Sequence, residues 1–291
     1  MSTLNLGVHF PQGQMPADYQ IIRKFLIDSE AQGFDHINVP DHVLQTQTPR
    51  ADFPAAANYT TEYPHHEVLS VLSFAAAVTD YIKLKTAVLI LPQRQAALVA
   101  KQAAQIDVLS NGRLQLGVGL GWNEPEYEAL HMSFTNRAAR MEEQIQVCRA
   151  LWQSPHVTFA GKWHTINDAG VAPMPIQQPI PVWIGAFAPP AIKRAARIAD
   201  GWQAMLPAPD GQAKSVFDQF KADAAQAGRN PDTIGIEATI FATGDDTSAW
   251  LHQAHAWLEC GATQIMFRPQ GDFHSILRAN EAWASVLSQL R

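Results

Sequence analysis

Two kinds of segment alternate along the chain. Short runs of apolar and β-branched residues predict strands, and longer runs with apolar positions every three to four residues predict helices. Leu4–Phe10 is the first strand. Tyr19–Gln32 follows as a helix with Ile21, Ile22, Phe25, Leu26 and Ala31 on one face, and Gly33 stands where a helix C-terminal glycine belongs. Phe34–Val39 is the second strand and His65–Thr79 the next helix. Ile82–Leu91 is the third strand; Ala96–Leu109 is a helix closed by the turn Ser110-Asn111-Gly112. Arg113–Gly119 is the fourth strand and Asn136–Trp152 a helix. The rhythm resumes with strand Val182–Ile184, helix Pro190–Ala199, strand Gly201–Leu206 and helix Ser215–Ala227. Strand Thr233–Thr243, helix Ala249–Glu259, strand Gln264–Arg268 and helix Phe273–Leu290 complete it.

Strict alternation with nearly continuous apolar strands means parallel pairing with both sheet faces covered. Eight such units close into an α/β fold of the (β/α)8 type, a TIM barrel; an open doubly wound sheet would suit six or seven. Two stretches break the rhythm. Residues 40–64 follow strand two, and residues 153–180, with four prolines, precede strand five. No linker separates independent domains, so residues 1–291 read as a single domain.

Composition narrows the function. The chain has 21 basic and 27 acidic residues, a net charge of −6, and only 16% charged residues. Without a Lys/Arg run, neither nucleic acid nor an anionic membrane is an expected partner. Cys148 and Cys260 are far apart, which suits two buried thiols in a reducing compartment. The N-terminus lacks a signal-peptide pattern and no apolar run reaches membrane-spanning length, so a cytoplasmic location is expected.

In a barrel, function gathers at the carboxyl ends of the strands. The residues there are His9, Asp41, His42, Ala87, Val88, the loop Gly119–Asn123, Gly185–Ala188, Met205, Glu237 and Arg268. They include few acids and several small residues, which suits a flat uncharged ring with a phosphate tail. Gly117-Val118-Gly119-Leu120-Gly121-Trp122 lacks the third glycine of a dinucleotide-binding fingerprint, and the chain continues as Asn123-Glu124-Pro125 without opening a helix at once. At Gly185-Ala186-Phe187-Ala188 a strand leads into a helix begun by proline, whose N–H groups favour an anion, with Arg268 as a further charge. Asp41-His42 puts a histidine beside a carboxylate, able to act as acid, base or charge stabiliser. His65-His66-Glu67 is no metal cluster, because adjacent residues at a helix start point apart. His131, His252 and His255 read as helix residues.

Several segments, taken together, resemble a known family. They are Gly33-Phe34-Asp35 with Val39-Pro40-Asp41-His42; Thr86-Ala87-Val88-Leu89; Ser110-Asn111-Gly112-Arg113 running to Gly121-Trp122-Asn123-Glu124-Pro125-Glu126-Tyr127; Met141-Glu142-Glu143; and Pro181-Val182-Trp183-Ile184-Gly185 with Ala199-Asp200-Gly201-Trp202. Over most of residues 4–206 the chain resembles the bacterial luciferase-like monooxygenases, flavin- or deazaflavin-dependent oxidoreductases, and most closely their F-420-type branch. The resemblance implies a homodimeric enzyme using reduced FMN or coenzyme F-420 on a small organic substrate, with a flavin reductase as possible partner. It implies a strand-three bulge at Ala87-Val88, often with a non-proline cis peptide, backing the ring. His42 with Asp41 becomes the catalytic pair. His9, Ala87, Val88, Gly121, Trp122, Asn123, Gly185, Ala186, Phe187, Ala188 and Arg268 become cofactor contacts, with no metal. Leu44 stands where some deazaflavin enzymes place tryptophan, and Ala186 replaces a common second glycine.

Two rival classes bound this reading. One is a non-catalytic flavin-binding barrel. The other is a metal-dependent hydrolase, for which only His9, Asp41, His42 and Glu237 could be assembled. Residues 40–64, with Phe53 and Tyr59, are the candidate lid over the substrate.

Overall fold

The computed structural model describes residues 4–45 and 60–291. Its centre is a closed parallel barrel. The wall is built, in chain order, from β1 (Asn5–His9), β2 (His36–Val39), β3 (Lys83–Thr86), β4 (Leu89–Ile90) and β5 (Leu114–Gly119). After a hairpin, β6 (Val157–Ala160) with β7 (Thr165–Ala169), come β8 (Val182–Ala186), β9 (Gly201–Ala204), β10 (Gly235–Ala242) and β11 (Gln264–Pro269). The wall strands follow the order β3-β2-β1-β11-β10-β9-β8-β5-β4, and a β3–β5 pairing shuts the ring. β3 and β4 are two pieces of the third strand, so eight strand positions close the barrel. The third strand is therefore not continuous: it breaks at Ala87–Val88, whose peptide is cis.

Helices α1 (Tyr19–Ala31), α2 (Val68–Val78), α3 (Ala96–Leu109), α4 (Glu124–Ala129) and α5 (Arg137–Gln153) surround the first half. Around the second half lie α6 (Pro189–Ile198), α7 (Gly211–Gln226), α8 (Thr247–Cys260) and α9 (Phe273–Ala284). Local chemistry sets their ends. Asp18, Asp210, Asp246 and Asp272 cap α1, α7, α8 and α9 by accepting first-turn amides. The Asp210 cap starts α7 four residues before the sequence periodicity did. The last helix stops at Ala284 and gives way to a 3-10 turn.

Successive residues of a strand point to opposite sides. Outward residues such as Leu6, Val8, Ile37, Leu84, Leu116, Trp202 and Phe267 are buried against the helices. Phe267 stacks on Trp283 at 4.9 Å, and Trp202 meets Phe220 at 4.9 Å; such pairs add ~0.5–1.5 kcal/mol beyond their burial. The inward set is far more polar than continuous apolar strands would give: His36, Asn38, Lys85, Gln203, Glu237 and Gln264 are all buried. Lys85 on β3 and Glu237 on β10 are not wall neighbours, yet Nζ and Oε2 lie 2.8 Å apart. Only across the barrel interior can they meet.

These residues form a floor. Glu237 takes Lys85 and His36 on Oε2 at 2.8 and 2.7 Å, and Asn38 on Oε1 at 2.8 Å. The Lys85 ammonium stands 3.4 Å from the centre of the Trp183 ring. Gly201 and Gly235 make room for that ring: an added Cβ would lie 2.4 and 2.3 Å from it. Burial would raise the Glu237 carboxyl, but Lys85 and His36 bring it down to about 2.

Candidate active site

The opposite end of the barrel is chemically different. After β2 the chain carries Asp41 and His42 into a loop, and after β5 it carries Gly121, Trp122 and Asn123 into α4. The sequence reading had no helix opening there. Asn123 is the residue preceding α4, and Pro125 fits its first turn. Six residues are too few for apolar periodicity to register. His131, expected on a helix, lies in the turn just beyond.

α4 supplies the residue that sequence reasoning missed. Glu126 is fully buried, and its Oε2 lies 2.9 Å from His42 Nδ1. Its Oε1 accepts the amides of Val43 and Leu44 at 2.7 and 3.0 Å. Asn123 Nδ2 donates to Leu44 O at 3.1 Å, so α4 grips the His42 loop from two points. Burial pushes the Glu126 carboxyl up, but His42 and the two amides pull it below its ordinary value.

Asp41 is therefore not the carboxylate bonded to His42. Its Oδ1 pairs with Arg94 at 2.7 Å and its Oδ2 accepts Ile90 N at 3.0 Å. Adjacent residues on extended chain face opposite ways, which sends Asp41 to the strand-three side and His42 to α4. Burial raises the Asp41 carboxyl against the pull of Arg94. The His42 ring packs edgewise on Trp122 and His65, at 5.4 and 5.7 Å. His65, half-buried, is lowered to about 4 by burial and by His42.

The second group of expected contacts is the wall around Ala87 and Val88. Val88 fills space left by two glycines on neighbouring strands. A Cβ on Gly119 would stand 2.4 Å from Val88 Cγ2, and one on Gly185 2.7 Å from Val88 Cγ1. Gly185 and Ala186 belong to β8 rather than to the turn after it. α6 opens at Pro189 with Pro190 next, so its first two positions have no N–H, and Ala191 N bonds to Ala188 O at 2.9 Å. The helix start thus offers fewer donors than the sequence reading supposed, which leaves the amides of Phe187 and Ala188.

His9 and Arg268 form a third group. They end neighbouring strands, since Val8 pairs with Phe267. Burial, then Arg268, holds the His9 imidazole well below its ordinary value. Arg268 lies over the Phe241 ring at 5.6 Å. Along the wall β11 is three strand steps from β8.

His9 Nδ1 and Asn123 Oδ1 at the mouth are buried with no hydrogen-bond partner, as are Asn38 Oδ1 and Gln203 Oε1 in the floor. Buried polar atoms are normally satisfied, so His9 and Asn123 have hydrogen-bonding capacity left for a partner at the mouth. Glu237, expected with a rim histidine set, is committed to the floor. No cluster of three metal-ligating side chains occurs among the described residues. No described helix is long and apolar enough to cross a membrane. Phe53 and Tyr59 of the candidate lid lie outside the described residues.

The chain is thus a parallel (β/α)8 barrel with a charged floor at one end and a His–Glu pair at the other. The profile of the luciferase-like monooxygenase family matches residues 3–285, and the chain belongs to that enzyme family. An uncharacterised protein of Mycobacterium tuberculosis is 32% identical over 200 residues, 67% of this chain and 68% of that one. The FMNH(2)-dependent dimethylsulfone monooxygenase of Pseudomonas fluorescens is 31% identical over 66% of this chain and 52% of its own. The F420-dependent glucose-6-phosphate dehydrogenase of Kineococcus radiotolerans is 30% identical over 61% and 50%. The fold matches the coenzyme F420 dependent tetrahydromethanopterin reductase of Methanopyrus kandleri over 100% of both chains, with a TM-score of 0.77 at 16% identity.

Proposed function

We propose that this chain is an oxidoreductase that takes reduced FMN or coenzyme F-420 into the barrel mouth and acts on a small organic substrate. The observation that carries the reading is the wall at Ala87–Val88, backed by Gly119 and Gly185, standing in the same mouth as the His42–Glu126 pair. A tricyclic ring needs a flat wall with few protruding side chains and polar partners at its edge. The small residues supply the first, and the unpartnered His9 Nδ1 and Asn123 Oδ1 fit the second. One curated relative is FMNH(2)-dependent and another F420-dependent, which supports either coenzyme.

When bound, the coenzyme supplies the redox chemistry: dioxygen activation for reduced FMN, two-electron transfer for F-420. The protein supplies the surroundings. Ala87, Val88, Gly121 and Trp122 would flank the ring, with His9 and Asn123 at its polar edge. The amides of Phe187 and Ala188, just past Gly185 and Ala186 at the end of β8, would receive the phosphate. Arg268 adds positive charge at the mouth next to His9. His42 holds or moves a proton at its imidazole, and Asp41 fixes the loop by tying it to Arg94 and Ile90. A reductase would be needed only with FMN. A homodimer in the cytoplasm completes the reading.

Titration with FMN, reduced FMN and F-420 tests it, with binding below about millimolar expected for at least one. His42→Ala should lower turnover by ~10²–10⁴-fold while leaving coenzyme affinity within a few fold. Failure of every coenzyme to bind would overturn the reading. Binding with no turnover under any donor would favour the non-catalytic barrel.

A further inference from the structure

Glu126 does more than hold a loop. An ionised carboxylate only accepts hydrogen bonds. Its Oε1 is taken by two backbone amides, of Val43 and Leu44. Its Oε2 receives Gln93 Nε2 at 3.4 Å and faces His42 Nδ1 at 2.9 Å. Buried among these donors, Glu126 keeps its charge, and Nδ1 must then be the ring nitrogen that carries hydrogen. In the neutral imidazole the lone pair is consequently on Nε2.

We propose that Glu126 is the positioning residue of the mouth: through Nδ1 it fixes the tautomer of His42 and makes Nε2 the proton-accepting nitrogen. This rests on the reading of His42 as the proton-handling group. The same carboxylate fixes the ring's orientation, because the amides it binds belong to the two residues after His42. One side chain on α4 therefore sets both the direction and the proton state of a residue delivered from β2. The pattern is familiar in principle: the hydrogen bond at one imidazole nitrogen decides what the other can do.

The test is ¹⁵N NMR of the histidine rings in the full chain without coenzyme, assigned with His42→Asn. The native ring should show the Nδ1–H tautomer when neutral. In Glu126→Gln the amide oxygen is expected to stay with the Val43 and Leu44 amides. Its NH₂ then meets Nδ1, and the ring proton should move to Nε2. Turnover should fall by about 100-fold or more with coenzyme affinity changed by less than about threefold. Glu126→Asp keeps the charge and should retain the Nδ1–H form with partial turnover. An Nε2–H ring in the native protein, or an unchanged tautomer in folded Glu126→Gln, would overturn the inference about Glu126. If Glu126→Gln does not fold, the native and Glu126→Asp spectra decide. Native turnover in His42→Asn would overturn the reading of His42 itself.

Discussion

The floor and the mouth of this barrel use the same two residue types to opposite ends. On the floor, Glu237 meets His36 at 2.7 Å; at the mouth, Glu126 meets His42 at 2.9 Å. Glu237 also has Lys85 and Asn38, and Trp183 lies against the ammonium, so the floor carboxylate is held by a cation, although Asn38 Oδ1 and Gln203 Oε1 beside it have no partner. Glu126 has backbone amides instead of a cation. An unsatisfied acceptor remains near it, at Asn123. A charge-paired network rigidifies a fold, whereas a carboxylate held only by backbone amides and an imidazole leaves that imidazole's proton to be used. The pair of atoms is alike; the surroundings decide whether it does structure or chemistry.

The sharpest way to separate the two is to neutralise each glutamate. Glu237→Gln leaves the Lys85 ammonium buried beside a neutral amide. Removing one partner of a buried pair costs ~3–5 kcal/mol, and that loss should be seen in urea unfolding. Glu126 faces no lysine or arginine within bonding distance among the described residues, so Glu126→Gln should lose far less stability and far more turnover. Equal stability losses for the two variants would mean that the mouth glutamate is structural as well.

Much of this contrast was visible in the sequence, but unevenly. The eight-fold alternation and the strand ends followed from apolar periodicity, which reports the outward face packed on helices. Lys85, Glu237, Gln203 and His36 lie on the inward face, where periodicity is blind because the partners come from strands far apart in sequence. His42 and Trp122 were legible as strand-end residues. Glu126 was quoted within a matching segment, yet nothing local gave it a role: it lies 84 positions from His42, and only barrel closure brings them together. Asp41 looked like the histidine's partner because it is adjacent in sequence, which in extended chain is a reason for facing away. The proline pair at Pro189-Pro190 did carry a signal against a donor-rich helix start, since proline has no N–H.

A smaller effect tests the mouth wall. Gly119→Ala sets a methyl 2.4 Å from Val88 Cγ2, so Val88 must shift. Overpacking of this kind costs ~1–3 kcal/mol, and coenzyme affinity should weaken in parallel if Val88 forms the ring's backing. Adding Val88→Ala removes the clashing methyls and should restore stability in the double variant. If it restores stability without restoring binding, Val88 itself contacts the coenzyme. If Gly119→Ala leaves binding untouched, the wall is not the seat of the ring.

The smallest effect concerns His65, which packs on His42 at 5.7 Å and is lowered to about 4 by burial and by that neighbour. An unfolded histidine takes its proton near 6.5, so between that value and about 4 the unfolded chain binds a proton that the folded one refuses. The stability due to a neutral His65 is complete above pH 6.5 and drains away as the pH falls toward 4. His36 and His9, also lowered, drain in the same direction and remain as background in any His65 variant. His65→Gln should therefore shrink the loss of stability between pH 7 and pH 5 without abolishing it. The difference should be of order 1 kcal/mol, because a half-buried ring is partly screened by solvent. It is measured as the change in urea midpoint at the two pH values. An identical pH slope in native and variant protein would mean that His65 takes its proton as readily folded as unfolded, and that the acid sensitivity belongs to other groups such as His36 and His9.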